Sequence, residues 1–406
     1  MLRTMSQNHS EAPLDNSLAN RVQRVKPSPT LAVTARAAEM RAAGHDIIGL
    51  GAGEPDFDTP EHIKEAAIEA IRAGKTKYTP VDGTPELKQA VQQKFSRENG
   101  LDYEGNQILV SAGAKHSIYN VMQAVLNPDD EVVIPIPYWV SYPDMALLAD
   151  AVPREIEATK DQRFKITPEQ LEATLTSKTR LVILNSPSNP TGVAYTRAEL
   201  EALGKVLEDY PRALVLTDDI YEHILWADEP FTNIVNACPS LKDRTVVING
   251  VSKGYSMTGW RIGYAAGPAG VIGAMKKIQS QSTSNPCSIA QAASVAALTG
   301  DQGCIAPMLK AFRERHDFVV KALNDIKGIE AIEGDGTFYT FPRVQGAIKN
   351  LGLKNDMELA EHLINEANVA LVPGSAFGLD GYARISFATS MENLEKAMER
   401  LAKALG

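Results

Sequence analysis

The chain has 406 residues, more than one compact core usually carries, so two domains are expected. Hydrophobic residues make up 44% and charged residues 22%, which excludes a disordered or fibrous chain. The net charge of −9, from 50 acidic and 41 basic side chains, argues against the basic face of a nucleic-acid binder.

The opening residues, MLRTMSQNHSEAPLDN, lack the apolar stretch of a secretory signal, and residues 1–20 are expected to form a flexible polar tail. Residues 21–43 precede the first strand and can pack with either domain. From 47 to about 268, short apolar runs at 47–50, 108–110, 132–136, 181–184, 214–216, 246–248 and 262–266 read as buried strands. Helical patterns such as 115–126 and 197–209 lie between them. Strands alternating with helices predict an α/β domain with a mainly parallel sheet covered on both faces, and such sheets bind ligands in loops at the carboxyl ends of their strands. Beyond residue 300 the texture changes to a helix at 308–326, a strand at 338–341, a helix at 357–367, strands at 369–372 and 383–387, and a closing helix at 391–405. That half predicts a smaller α+β domain. No apolar run approaches the roughly 20 residues of a membrane span. Three scattered cysteines, Cys238, Cys287 and Cys304, make neither a disulfide framework nor a zinc ligand set. A cytoplasmic setting with no metal is expected.

The stretch Gly250-Val-Ser-Lys-Gly-Tyr-Ser-Met-Thr-Gly-Trp-Arg-Ile-Gly263 joins two predicted core strands. Alone it is compatible with a surface turn carrying two solvated cations. At the end of a strand, though, Lys253 is of the type that forms a Schiff base with a carbonyl cofactor, and Arg261 of the type whose planar fork binds a phosphate. Asp218 and Asp219 follow the strand at 214–216, where an acidic residue can cap a turn. Asn185-Ser-Pro-Ser-Asn-Pro-Thr-Gly192 is a Pro/Asn-rich turn after another strand. Ser111-Ala-Gly-Ala-Lys-His116 opens a helix with small residues, a geometry that lets backbone N–H groups approach a phosphate. Trp139 offers an aromatic face for stacking. Arg384 sits inside an apolar strand, so a carboxylate partner is expected for it.

Together these motifs are similar to those of the class I/II aminotransferases of pyridoxal-phosphate fold type I. Ser252-Lys253-x2-Ser256-x2-Gly259-x-Arg261-x-Gly263 matches that family's cofactor-lysine pattern throughout, and the likeness runs from about Arg21 onward. The resemblance implies a homodimer with shared active sites, pyridoxal 5′-phosphate as cofactor, and segment 21–50 packed with a small domain of 306–406 against a large cofactor domain of 51–305. It implies Lys253 as the catalytic base and Asp218 at the ring nitrogen. Tyr221 and Asn189 would contact the phenolic oxygen, and Trp139 would stack on the ring. Ala114, Lys115, Ser252 and Arg261 would hold the phosphate, with Tyr78 reaching it from the neighbouring subunit. Arg384, Gly53 and Asn189 would bind the substrate's α-carboxylate.

Within the family, Arg24-Val-Lys-Pro-Ser-Pro-Thr30 and Gly53-Glu-Pro-Asp-Phe-Asp-Thr-Pro60 resemble the bacterial subgroup Iβ of aspartate aminotransferases. That likeness assigns Lys115 and Thr30 to the substrate's side-chain carboxylate, and implies L-aspartate and 2-oxoglutarate as substrates. His116, where relatives commonly carry glutamine, either alters the distal pocket or caps the helix. Other specificities on the same fold, aromatic or aliphatic amino acids or prephenate as acceptor, are the alternative, and a non-catalytic effector sensor a remote one.

Overall fold

The computed structural model describes residues 18–25, 27 and 29–406, with the side chains of 29–31 left out. The expected tail therefore falls almost wholly outside the described residues, as do Lys26 and the side chain of Thr30. Twelve strands occur among the described residues: β1 (Ile48–Gly49), β2 (Ile108–Ser111), β3 (Glu131–Ile136), β4 (Val152–Glu157), β5 (Thr179–Asn185), β6 (Leu214–Asp218), β7 (Thr245–Gly250), β8 (Gly263–Ala266), β9 (Tyr339–Thr340), β10 (Val369–Ala370), β11 (Val372–Pro373) and β12 (Ala383–Ser386).

Period-two alternation builds the main sheet. Leu181, Ile183, Leu214, Leu216, Val246 and Ile248 face one way, against Ile118, Met122, Ile272 and Met275 of helices Ala114–Val125 and Ala269–Ser282. Val182, Leu184, Val215 and Val247 face the other way, against Leu200, Leu203 and Leu207 of helix Arg197–Glu208 and against Ala293 and Ala297 of helix Ser288–Thr299. A strand buried on both faces needs apolar residues at every position, which is why these strands read as continuous runs. The seven strands run β2-β8-β7-β6-β5-β3-β4. All neighbours are parallel except β8, which is antiparallel to both β2 and β7.

Two expectations need correction. Strand β4 carries no apolar run because only Ile156 of it is buried; it is an edge strand bonded to β3 alone, but the opposite edge, β2, is buried at every position. The run at 47–50 is not part of the main sheet. It forms β1, which pairs in parallel with β10 through Ile48↔Val369 and Gly49↔Ala370. A short buried run does not encode its partner, and here the partner comes near the other end of the chain.

The remaining strands form an antiparallel sheet, β11-β12-β9. It packs under helices Ile305–Asn324, Asp356–Glu366 and Met391–Leu405, the last burying the stripe Leu394, Ala397, Met398, Leu401 and Leu405. This second core also takes in Ile220, Tyr221 and Ile224, which follow β6. The chain leaving the main sheet at β6 is thus packed into the second core, and a cleft forms where the two meet. Among the described residues no helix is long and apolar enough to cross a membrane.

Candidate active site

The cleft has a volume of about 500 Å3. Gly53, Ala114, Lys115, Trp139, Asn189, Asp218, Tyr221, Ser252, Lys253, Arg261 and Arg384 all line it, although they span most of the sequence. Tyr78 does not line it; its side chain is 92% exposed on the surface of the same chain. The Thr30 side chain lies outside the described part.

Asp218 is the last residue of β6 and is buried. Its Oδ2 accepts a hydrogen bond from Tyr142 Oη at 2.6 Å, and its Oδ1 one from the Ile220 amide at 3.4 Å. Among the described residues no cationic side chain bonds it. Burial pushes its carboxyl up to about 6, partly offset by the Tyr142 hydrogen bond. Asp219 points elsewhere: Thr217 Oγ1 donates to one of its oxygens at 2.6 Å and Asn233 Nδ2 to the other at 3.0 Å. That makes it a bonded core residue and separates two neighbouring carboxylates by role.

Lys253 follows β7 in the loop 251–262. Its Nζ donates to the Gly53 carbonyl and lies 5.7 Å from the Tyr221 ring centre and 5.6 Å from that of Phe338. Burial in the cleft, with the Arg384 charge nearby, brings its amine down to about 8. The loop's other cation, Arg261, has φ +56°, a left-handed conformation that non-glycine residues rarely adopt. Its guanidinium lies against the start of helix Ala114–Val125. A Cβ at Gly113 would sit 2.4 Å from Arg261 Nη2, and one at Gly263 would sit 2.1 Å from the Ala114 amide nitrogen. Glycine at both positions brings a guanidinium onto a helix start whose first N–H groups have no intrahelical partner, which is an anion site in outline.

Arg384, in β12, is 2% exposed. Nη1 donates to Asn189 Oδ1 at 3.0 Å and Nη2 to the Gly51 carbonyl at 2.8 Å, while buried Nε has no partner. The carboxylate expected for this arginine is therefore not supplied by any of the described residues. Lys115 places Nζ 4.8 Å from the Trp139 ring centre, and burial together with Arg261 lowers its pKa. Trp139 meets Tyr142 edge-on, ring centres 5.2 Å apart. His116 does not line the cleft. Its Nδ1 accepts from the Ala112 amide at 3.3 Å and its Nε2 lies 3.5 Å from Ser282 Oγ, so it caps the loop before the helix.

Sequence reasoning missed several lining residues. Tyr142 and Asn185 lie within motifs read for Trp139 and Asn189; Asn185 Nδ2 donates to the Asp218 carbonyl at 2.8 Å and Asn185 Oδ1 accepts from the Asn189 amide at 2.9 Å. Glu54, accepting from Thr258 Oγ1 at 2.7 Å, was equally close to a named motif. Tyr339 carried no signal at all.

The family model for aminotransferase class I and II matches residues 45–401. The aspartate/prephenate aminotransferase of Nitrosomonas europaea is 57% identical over 394 residues, covering 96% of this chain and 99% of its own length. Among solved structures, the aspartate aminotransferase from Rhizobium meliloti aligns with a TM-score of 0.92 at 48% identity, covering 96% of this chain and 98% of its own. That from Thermus thermophilus with maleate aligns at 0.91 and 42% identity, covering 95% and 99%.

Proposed function

This chain belongs to the class I and II aminotransferases, and from that premise we propose that it uses pyridoxal 5′-phosphate to move the amino group of L-aspartate to 2-oxoglutarate, giving oxaloacetate and L-glutamate. One observation carries the substrate assignment. Among the described residues the cleft holds four cations in no ion pair with the chain's own carboxylates; Lys253 is reserved for the cofactor's aldehyde carbon, which leaves Arg261, Lys115 and Arg384 for anions. A cofactor phosphate, an α-carboxylate and a side-chain carboxylate are the three anions that would match them.

The residues suit the cofactor. The helix start at Ala114 and Lys115, with Ser252 and Arg261, suits its phosphate; buried Asp218, without a cation, suits a protonated ring nitrogen; Trp139 suits a stacked ring. When bound, pyridoxal 5′-phosphate supplies an aldehyde for amine exchange and a ring that takes up the electron pair left when Cα loses its proton. Lys253 takes that proton onto Nζ and returns it one carbon away, a task that favours an amine whose pKa is brought down toward neutrality. Asp218 holds the ring-nitrogen proton by its charge. Tyr221 donates to the phenolic oxygen. Arg384, with Asn189 and Gly53, orients the α-carboxylate, and Lys115 with Thr30 the distal one. The exposed Tyr78 supports a homodimer in which it reaches the neighbouring subunit's phosphate. The two cores support a division into 51–305 and 306–406, with 21–50 joined to the latter through β1, and the setting is cytoplasmic. The name of the Nitrosomonas europaea relative supports prephenate as a second acceptor.

The test is a half-reaction. Cofactor-loaded protein mixed with L-aspartate alone should change its cofactor absorbance and release one oxaloacetate per site. Absorbance unmoved by aspartate but changed by an aromatic amino acid would overturn the aspartate assignment and leave the transferase.

A further inference from the structure

The chain links its α-carboxylate arginine to Tyr221 through one side chain. We infer that Tyr339 is a positioning residue that fixes the plane of Arg384 with its ring and the hydroxyl of Tyr221 with its own; this rests on the roles proposed above. Tyr339 sits in β9, pairs with β12 opposite Ser386, and is buried. The Arg384 guanidinium carbon lies 4.4 Å from its ring centre, with Phe377 on the same guanidinium at 5.0 Å. Its hydroxyl is 3.2 Å from Tyr221 Oη, and the ideal Cβ position at Gly53 is 3.3 Å from the same oxygen. A phenol in this place, itself on the cleft wall, touches three groups assigned to ligand binding.

The direction of the shared hydrogen bond follows from counting protons. Each hydroxyl has one donor. If Tyr221 spends its proton on an acceptor in the cleft, the proton between the two phenols is that of Tyr339, which then donates to Tyr221 and strengthens it as a donor. Meanwhile Arg384, with Nη1 and Nη2 held by Asn189 and Gly51, is kept over the Tyr339 ring so that its planar fork holds one orientation in the cleft.

Two variants separate the two contacts. Tyr339→Phe keeps the ring and removes the hydroxyl. In the cofactor-loaded protein, kcat with L-aspartate should fall about tenfold, KM and maleate affinity should stay within about twofold, and the pH midpoint of the cofactor absorbance should rise, because a weaker donor leaves more charge on the phenolic oxygen to hold a nearby proton. Tyr339→Leu removes both contacts and should in addition weaken maleate binding about tenfold, read by tryptophan fluorescence. Arg384→Lys is the reference. If it leaves maleate affinity unchanged, the carboxylate role of Arg384 fails. If it weakens maleate but Tyr339→Leu does not, or if Tyr339→Phe leaves the pH midpoint in place, the role of Tyr339 is overturned while that of Arg384 stands.

Discussion

Two buried clusters of charge lie in this molecule, and their chemistry runs in opposite directions. In one, Lys94 is fully buried and pairs with Glu222, lies 3.7 Å from Glu98, and donates to Asn99 Oδ1 at 2.7 Å. Asn99 in turn donates to Glu222 at 2.9 Å, and His223 Nε2 shares a 3.0 Å hydrogen bond with Glu98. Burial alone would raise the Glu98 carboxyl; the His223 hydrogen bond and the Lys94 charge outweigh it and hold it at about 2. Glu98, Glu222 and His223 are close enough together to hold a metal ion, but the Lys94 ammonium already sits among them. In the cleft the balance is reversed. Burial takes Asp218 up to about 6 and Lys253 down to about 8, and Arg384 keeps a buried Nε without a partner. The lesson is that burial of charge does not mark a site; burial of charge that the chain leaves uncompensated does.

The comparison is broken most sharply by removing one member from each cluster. Lys253→Ala should lower multiple-turnover activity by more than about a thousandfold while its melting temperature stays equal or rises, since an amine that was costly to bury is gone; substantial steady-state turnover would refute its role. Lys94→Met should do the reverse, costing about 3–5 kcal/mol of stability by leaving Glu222 buried without its partner. Chemical denaturation measures this, and an unchanged midpoint would show that the pair contributes nothing. Arg384→Ala should raise KM for L-aspartate about a hundredfold with a smaller change in kcat, and an unaltered KM for every amino acid tested would remove its carboxylate role.

Smaller effects sharpen the contrast through pH. The Asp218 charge is present above its pKa and lost as pH falls through about 6. Tyr142→Phe removes a hydrogen bond that favours the charged form, so the acidic limb of kcat should move to higher pH; a limb that stays in place would separate Tyr142 from Asp218. In cofactor-free protein, Lys253 is charged below about pH 8 and neutral above it. Its reaction with an amine-directed acylating reagent, followed by peptide mass, should reach half its maximal rate near pH 8, well below the roughly 10.4 of surface lysines. A midpoint shared with those lysines would mean that the cleft does not tune it.

Much of this was legible from the amino-acid sequence by itself. The central strands β5, β6 and β7 announce themselves because both faces are buried, so each carries a continuous apolar run, Leu181–Leu184, Leu214–Leu216 and Val246–Ile248. Lys253, Arg261, Asp218 and Asn189 were found because their spacing is local to single loops at strand ends. Strand β4 was missed because only Ile156 of it is buried, unlike the covered edge strand β2, and the residue pattern alone put β1 in the main sheet because pairing with β10 is a long-range choice that no local pattern encodes. What only the tertiary structure decided is who meets whom across the cleft: Tyr339 with both Arg384 and Tyr221, Tyr142 with Asp218, Lys94 with Glu222. Residue type and spacing set what each group can do. Whether a buried charge finds a partner within the chain, or is left for a ligand to complete, depends on contacts between segments far apart in sequence, and those exist only once both cores have packed.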